Sequence, residues 1–84
     1  MTYKPHELVE EFPEDIAVLH HLKATRGHFA ALADRYGEVN GAINRIEEQL
    51  DVASDTRLED LKKERLTLLD QIGRMIRDAR AVGA

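Results

Sequence analysis

The stretch from Phe29 to Leu50, FAALADRYGEVNGAINRIEEQL, decides the fold. Its large apolar residues are Phe29, Leu32, Tyr36, Val39, Ile43, Ile46 and Leu50, separated by alternating steps of three and four. That is an unbroken heptad seam, and most residues between are polar or alanine. The stripe is narrow, as in a coiled coil, rather than the wider face of a globular-core helix. It predicts one helix over residues 26–51. Gly37 and Gly41 lie off the seam and cost helix propensity, which leaves room for another helix to approach closely.

Working outward, a second seam follows. Leu58, Leu61, Arg65, Leu68, Ile72, Met75 and Ala79 again step by three and four, predicting a helix over 57–80. Thr56 and Glu59 read as a capping box at its start, and the end at Gly83-Ala84 should fray. A short connection between helices of matched length suits an antiparallel pair. Arg65 interrupts the second seam, where it either snorkels outward or biases register.

Upstream, Pro5 can open a short turn over His6–Glu11. Pro13 then sits well at the first position of a helix from 13 to 24, with Ile16, Leu19 and Leu22 on its apolar face. Thr25 is placed to cap the next helix. The expected architecture is therefore all-α: residues 1–84 as a single domain, with an N-terminal helical segment (1–24) preceding an antiparallel coiled-coil hairpin (26–51 and 57–80).

The last helix carries more apolar surface than one partner needs, because Leu66, Leu69 and Ile76 flank its seam. Either Ile16, Leu19 and Leu22 of the first helix cover that surface, or a second copy of the chain does. These six residues are the candidate interaction surface, and self-association is its plainest use.

Several function classes are disfavoured. The chain has 84 residues and no Cys, so disulfides, thiolate metal sites and thiol nucleophiles are excluded. His6, His20, His21 and His28 show no helical spacing that would converge on a metal, so no metal or cofactor is expected. The acidic pairs, such as Glu47/Glu48 and Glu59/Asp60, read as solvated faces, and no phosphate loop or catalytic triad pattern appears. An enzyme is not expected. No apolar run approaches a membrane span, and early acidic residues interrupt any signal-peptide stretch, so a cytoplasmic protein is expected.

The net charge of −4 opposes nonspecific attraction to nucleic acid. Charge is unevenly placed, however: residues 57–84 hold seven Lys/Arg against five Asp/Glu. A nucleic-acid-associated regulator using Lys62, Lys63, Arg74 and Arg77 is the alternative, although pairing of these charges with acidic segments is more ordinary.

The blocks Glu11-Phe12-Pro13, Leu22-Lys23, His28-Phe29, Leu32, Tyr36, Asn40, Ile43, Arg45, Glu47, Leu58, Leu61-Lys62-Lys63, Arg65-Leu66, Leu69-Asp70 and Ile72 together resemble the YdcH family of small bacterial proteins. The segment Leu69-Asp70-Gln71-Ile72 lacks the Lys and Glu that flank the Asp in that family. The resemblance implies a small helical, coiled-coil-like bacterial protein and no particular activity.

Overall fold

A computed structural model describes residues 6–82. Four helices follow one another: α1 (Leu8–Glu11), α2 (Ile16–Thr25), α3 (Gly27–Glu47) and α4 (Asp55–Ala81), with no strand among the described residues. The two long helices pack against each other as a hairpin, and α2 lies against both. Pro5 and the Gly83-Ala84 end fall outside the described residues.

The core forms where the two seams meet. Phe29, Tyr36, Val39 and Ile43 of α3 close on Leu61, Leu68, Ile72 and Ile76 of α4, and Leu19 and Leu22 of α2 complete the cluster. The buried face of α3 is wider than its seam, because Ala33, Asn40 and Asn44 are buried too. A helix with partners on two flanks buries a broad stripe, whereas a bare coiled coil would bury a narrow one.

Helix ends depart from the sequence expectation in four places, each for a local reason. First, α2 begins at Ile16, not Pro13. Residues 12–15 close a turn through the Asp15 amide and the Phe12 carbonyl (3.0 Å), and the first carbonyl of the α2 ladder is that of Asp15. Second, Thr25 does not cap α3. Its hydroxyl donates back to the His21 carbonyl at 2.8 Å, and extended backbone at Arg26 separates the two helices. Back-bonding of this kind competes with capping for the same side chain.

Third, α3 stops at Glu47 rather than running to residue 51. The Leu50 amide donates to the Arg45 carbonyl at 2.8 Å, and the Gln49 amide to the Ile46 carbonyl at 3.0 Å. With Gln49 at φ 62, this is a Schellman termination, built on glutamine where glycine is usual. Arg45 then clasps Asp51 just beyond the turn, Nε to Oδ2 at 2.8 Å. Leu50, expected on the seam, is instead 62% exposed. Fourth, α4 starts at Asp55, capped by Ser54, whose Oγ accepts from the Arg57 amide at 3.1 Å. The Thr56–Glu59 capping box therefore lies inside the first turns. Ser54 captures the role because its cap also places Asp55 at the positive end of the helix dipole.

Two further expectations resolve. Arg65 donates from Nη1 to Oδ1 of buried Asn40 at 3.0 Å, so the polar interruption of one seam meets a polar residue of the other. Gly37 and Gly41 do not mark a close approach within the chain, since a Cβ at either would have nothing within 4 Å.

Candidate interaction surface

Successive residues of an α-helix project about 100° apart, so α4 can be divided into flanks. One flank, Leu61, Leu68 and Ile72, faces the core. A second, Leu69, Gly73 and Ile76, is met by the N-terminal segment. Gly73 makes this meeting possible: a Cβ there would lie 3.4 Å from the Phe12 ring. The segment is held from two further directions. The Tyr36 hydroxyl donates to the His6 backbone carbonyl, and Arg80 Nη1 reaches Asp15 Oδ1 at 3.2 Å. Burial first, then the Glu11 and Glu7 carboxylates, push the Tyr36 phenol up to about 12, while Arg65 opposes the shift.

The six residues expected at the interaction surface consequently part company. Leu19, Leu22 and Ile76 lie in the chain's own core, and Ile76 is only 1% exposed. Leu69 is half-buried against that core. Leu66, at 61% exposure, and Ile16, at 40%, face outward. Of the two sources of cover weighed for the surplus face, the first helix supplies it toward the C-terminal end of α4. Leu66 stays bare. Beside it, a shallow groove of about 320 Å³ runs between α1 and α4, with Phe12, Leu69 and Gly73 along it and Asp70, Arg74 and Arg77 at its edge.

The third flank of α4 is open and charged. Glu59, Lys63, Asp70 and Arg74 surround Leu66, and all are exposed. Among the described residues these four form no ion pair. Other basic residues of α4 are engaged: Lys62 Nζ lies 3.1 Å from Glu47 Oε2, and Arg80 holds Asp15. Across the hairpin, Arg35 grips Glu64 through two bonds, 2.6 and 2.9 Å, which holds the Glu64 carboxyl below its usual range. Apolar spacing picked out Leu66, whereas Lys63 and Arg74 drew notice only as a nucleic-acid contact and Glu59 only in a solvated acidic pair. Their signal was present in the two i, i+4 pairs Glu59/Lys63 and Asp70/Arg74.

The histidines do not come together. His20, His21 and His28 are exposed, and His6 Nδ1 lies 2.8 Å from Glu11 Oε1. Among the described residues no three His, Asp or Glu side chains converge as a metal site requires. Nor, among them, is any helix long and apolar enough to cross a membrane.

Comparison with known proteins gives one match. A family model described as "Protein of unknown function (DUF465)" matches residues 29–76, from the first buried aromatic of α3 to the last buried isoleucine of α4. No curated protein and no solved structure matches the chain.

Proposed function

The chain belongs to the DUF465 family, the YdcH family of small bacterial proteins of unknown function, and we propose that it is a non-enzymatic helical-hairpin module that acts by binding protein, in the first place a second copy of itself. The observation that carries this reading is the open flank of α4, where Leu66 remains exposed beside a groove after the N-terminal segment has covered its neighbours. An exposed leucine alone is ordinary on a protein surface. An exposed leucine ringed by unpaired charges of both signs, on the longest helix, is a pattern suited to a small, polar-rimmed interface. The proposal sets this module in the cytoplasm, in keeping with a chain that has no cysteine.

Sedimentation velocity across the micromolar range tests it. A mass that rises with concentration toward twice the monomer is the expected result, and a monomer throughout refutes self-association.

One observation favours a second reading, a nucleic-acid contact: Lys63, Arg74 and Arg77 form no ion pair among the described residues. Against it, Asp70 stands among them and the net charge is −4. Binding to DNA or RNA that weakens steeply with salt would support this alternative, and no binding at low salt removes it.

A further inference from the structure

We infer that two copies of this chain pair through the open flank of α4, antiparallel about a two-fold axis beside Leu66, in a register set by charge. The inference rests on the self-association proposed above and names the surface, orientation and register that it uses.

Glu59, Lys63, Leu66, Asp70 and Arg74 step by four, three, four and four, so they form one continuous stripe. Read from either end toward Leu66, the charges are reversed: acidic then basic on one side, basic then acidic on the other. A stripe of this kind complements itself when one copy is turned end for end. With the axis between Leu66 and Thr67, Lys63 stands opposite Asp70 of the second copy, and Glu59 opposite Arg74. The two-fold repeats both pairs, giving four. Leu66 then lies within about one helical rise, 1.5 Å, of its own counterpart across the axis. An isologous interface requires this reciprocity.

The same charges reject the alternatives. A parallel pair sets every charge against its own copy. Sliding the antiparallel pair by one turn sets Lys63 against Arg74 in one direction, and Glu59 against Asp70 in the other. Like charges facing across an interface select strongly against a register. Lys63 and Asp70 are also free to act between copies, since neither forms an ion pair among the described residues. The N-terminal segment borders this stripe, since Glu11 and Phe12 line the same groove as Leu66, Asp70 and Arg74 with Phe12 against Gly73, so the second α4 approaches from the side of the stripe away from Phe12.

Complementary single reversals provide the test. Lys63→Glu faces Asp70 of the second copy with a like charge, and Asp70→Lys does the same to Lys63. Each variant alone is expected to associate at least about tenfold more weakly than the unaltered chain. Mixed in equal amounts, the two variants restore both kinds of pair across one interface, and association returns as a heterodimer. Circular dichroism of each variant checks that the helices persist. As a second readout, Leu66→Cys supplies the only thiol in the chain. A short bismaleimide should join two copies through it, and should not join two copies of Ala31→Cys on the exposed face of α3.

A dimer that persists in both single variants, or a mixture that stays monomeric, overturns the proposed face and register while leaving self-association standing. An unaltered chain that is monomeric at every concentration overturns both.

Discussion

Leu66 and Ile76 carry similar apolar side chains on the same helix, yet the fold gives them opposite roles, and truncating each to alanine separates those roles. Ile76 is 1% exposed within the cluster that joins α2, α3 and α4. Ile76→Ala removes three carbons, a transfer loss of about 2.4 kcal/mol at roughly 0.8 per buried carbon. The cavity left behind adds to that loss, so about 3–4 kcal/mol is expected, within the range of about 2–5 for such truncations. A chain of 84 residues has a total stability of only about 4–13 kcal/mol at typical values per residue. Ile76→Ala should therefore remove a large part of it. Leu66, 61% exposed, loses little contact on truncation, and alanine favours the helix slightly, so the net cost should stay below about 0.5 kcal/mol. Urea unfolding followed at 222 nm, at concentrations where the chain is monomeric, gives both numbers. Equal costs at the two positions, or a cost below about 1 kcal/mol at Ile76, would refute the packing described above.

Three further substitutions test individual features. Gln49→Gly should stabilise the chain by about 0.5–1 kcal/mol in the same urea assay, because relief of left-handed strain exceeds the added flexibility of the unfolded glycine. Gly37→Ala should stabilise by about 0.8–1 kcal/mol, since a Cβ there meets nothing within 4 Å; a loss of stability would show that another copy approaches at that point. Tyr36→Phe should cost on the order of 1 kcal/mol near neutral pH, through the lost bond to the His6 carbonyl. Because the Tyr36 phenol holds its proton more tightly in the folded chain, about 12 against 10, its contribution is complete below pH 10 and is lost as pH rises from 10 through 12. Stability measured across that window should fall by on the order of 2–3 kcal/mol more in the unaltered chain than in Tyr36→Phe.

Much of the hairpin was legible because its signal is repetitive. The first seam has seven apolar positions and the second has six with Arg65 among them, all on the same spacing, so an error at any one of them leaves the pattern intact. Helix ends have no such redundancy. The end of α3 depends on one residue taking a left-handed conformation, and Gln49 gives no sign of doing so, whereas a glycine would have. The start of α4 offered two candidates two residues apart, Ser54 and Thr56, and the choice between them rests on where the preceding turn delivers the chain. The burial of Ala33, Asn40 and Asn44 was hidden for another reason. Asn40 is held by Arg65 of α4, and α2 packs against α3 as well as α4; a seam read from apolar spacing records neither polar burial nor a second partner.

The candidate interaction surface was the least legible part, and the reason lies in how a small chain covers its helices. Two helices can bury one flank of each other and no more, so a hairpin with apolar residues beside its seam needs a third body. Apolar spacing alone does not say whether that body is another part of the chain or another molecule. Gly73 decides the matter for one flank of α4. Its missing side chain lets the Phe12 ring settle on the helix beside Leu69, while Ile76 joins the core shared with Leu19 and Leu22 of α2. Arg80 and Tyr36 tie the N-terminal segment down at Asp15 and His6, so the cover is fastened at both ends. None of these ties extends to the flank seven residues earlier. Leu66 is exposed there because none of the four helices among the described residues covers it, and its neighbours are charged in an order that suits a second α4 running the other way.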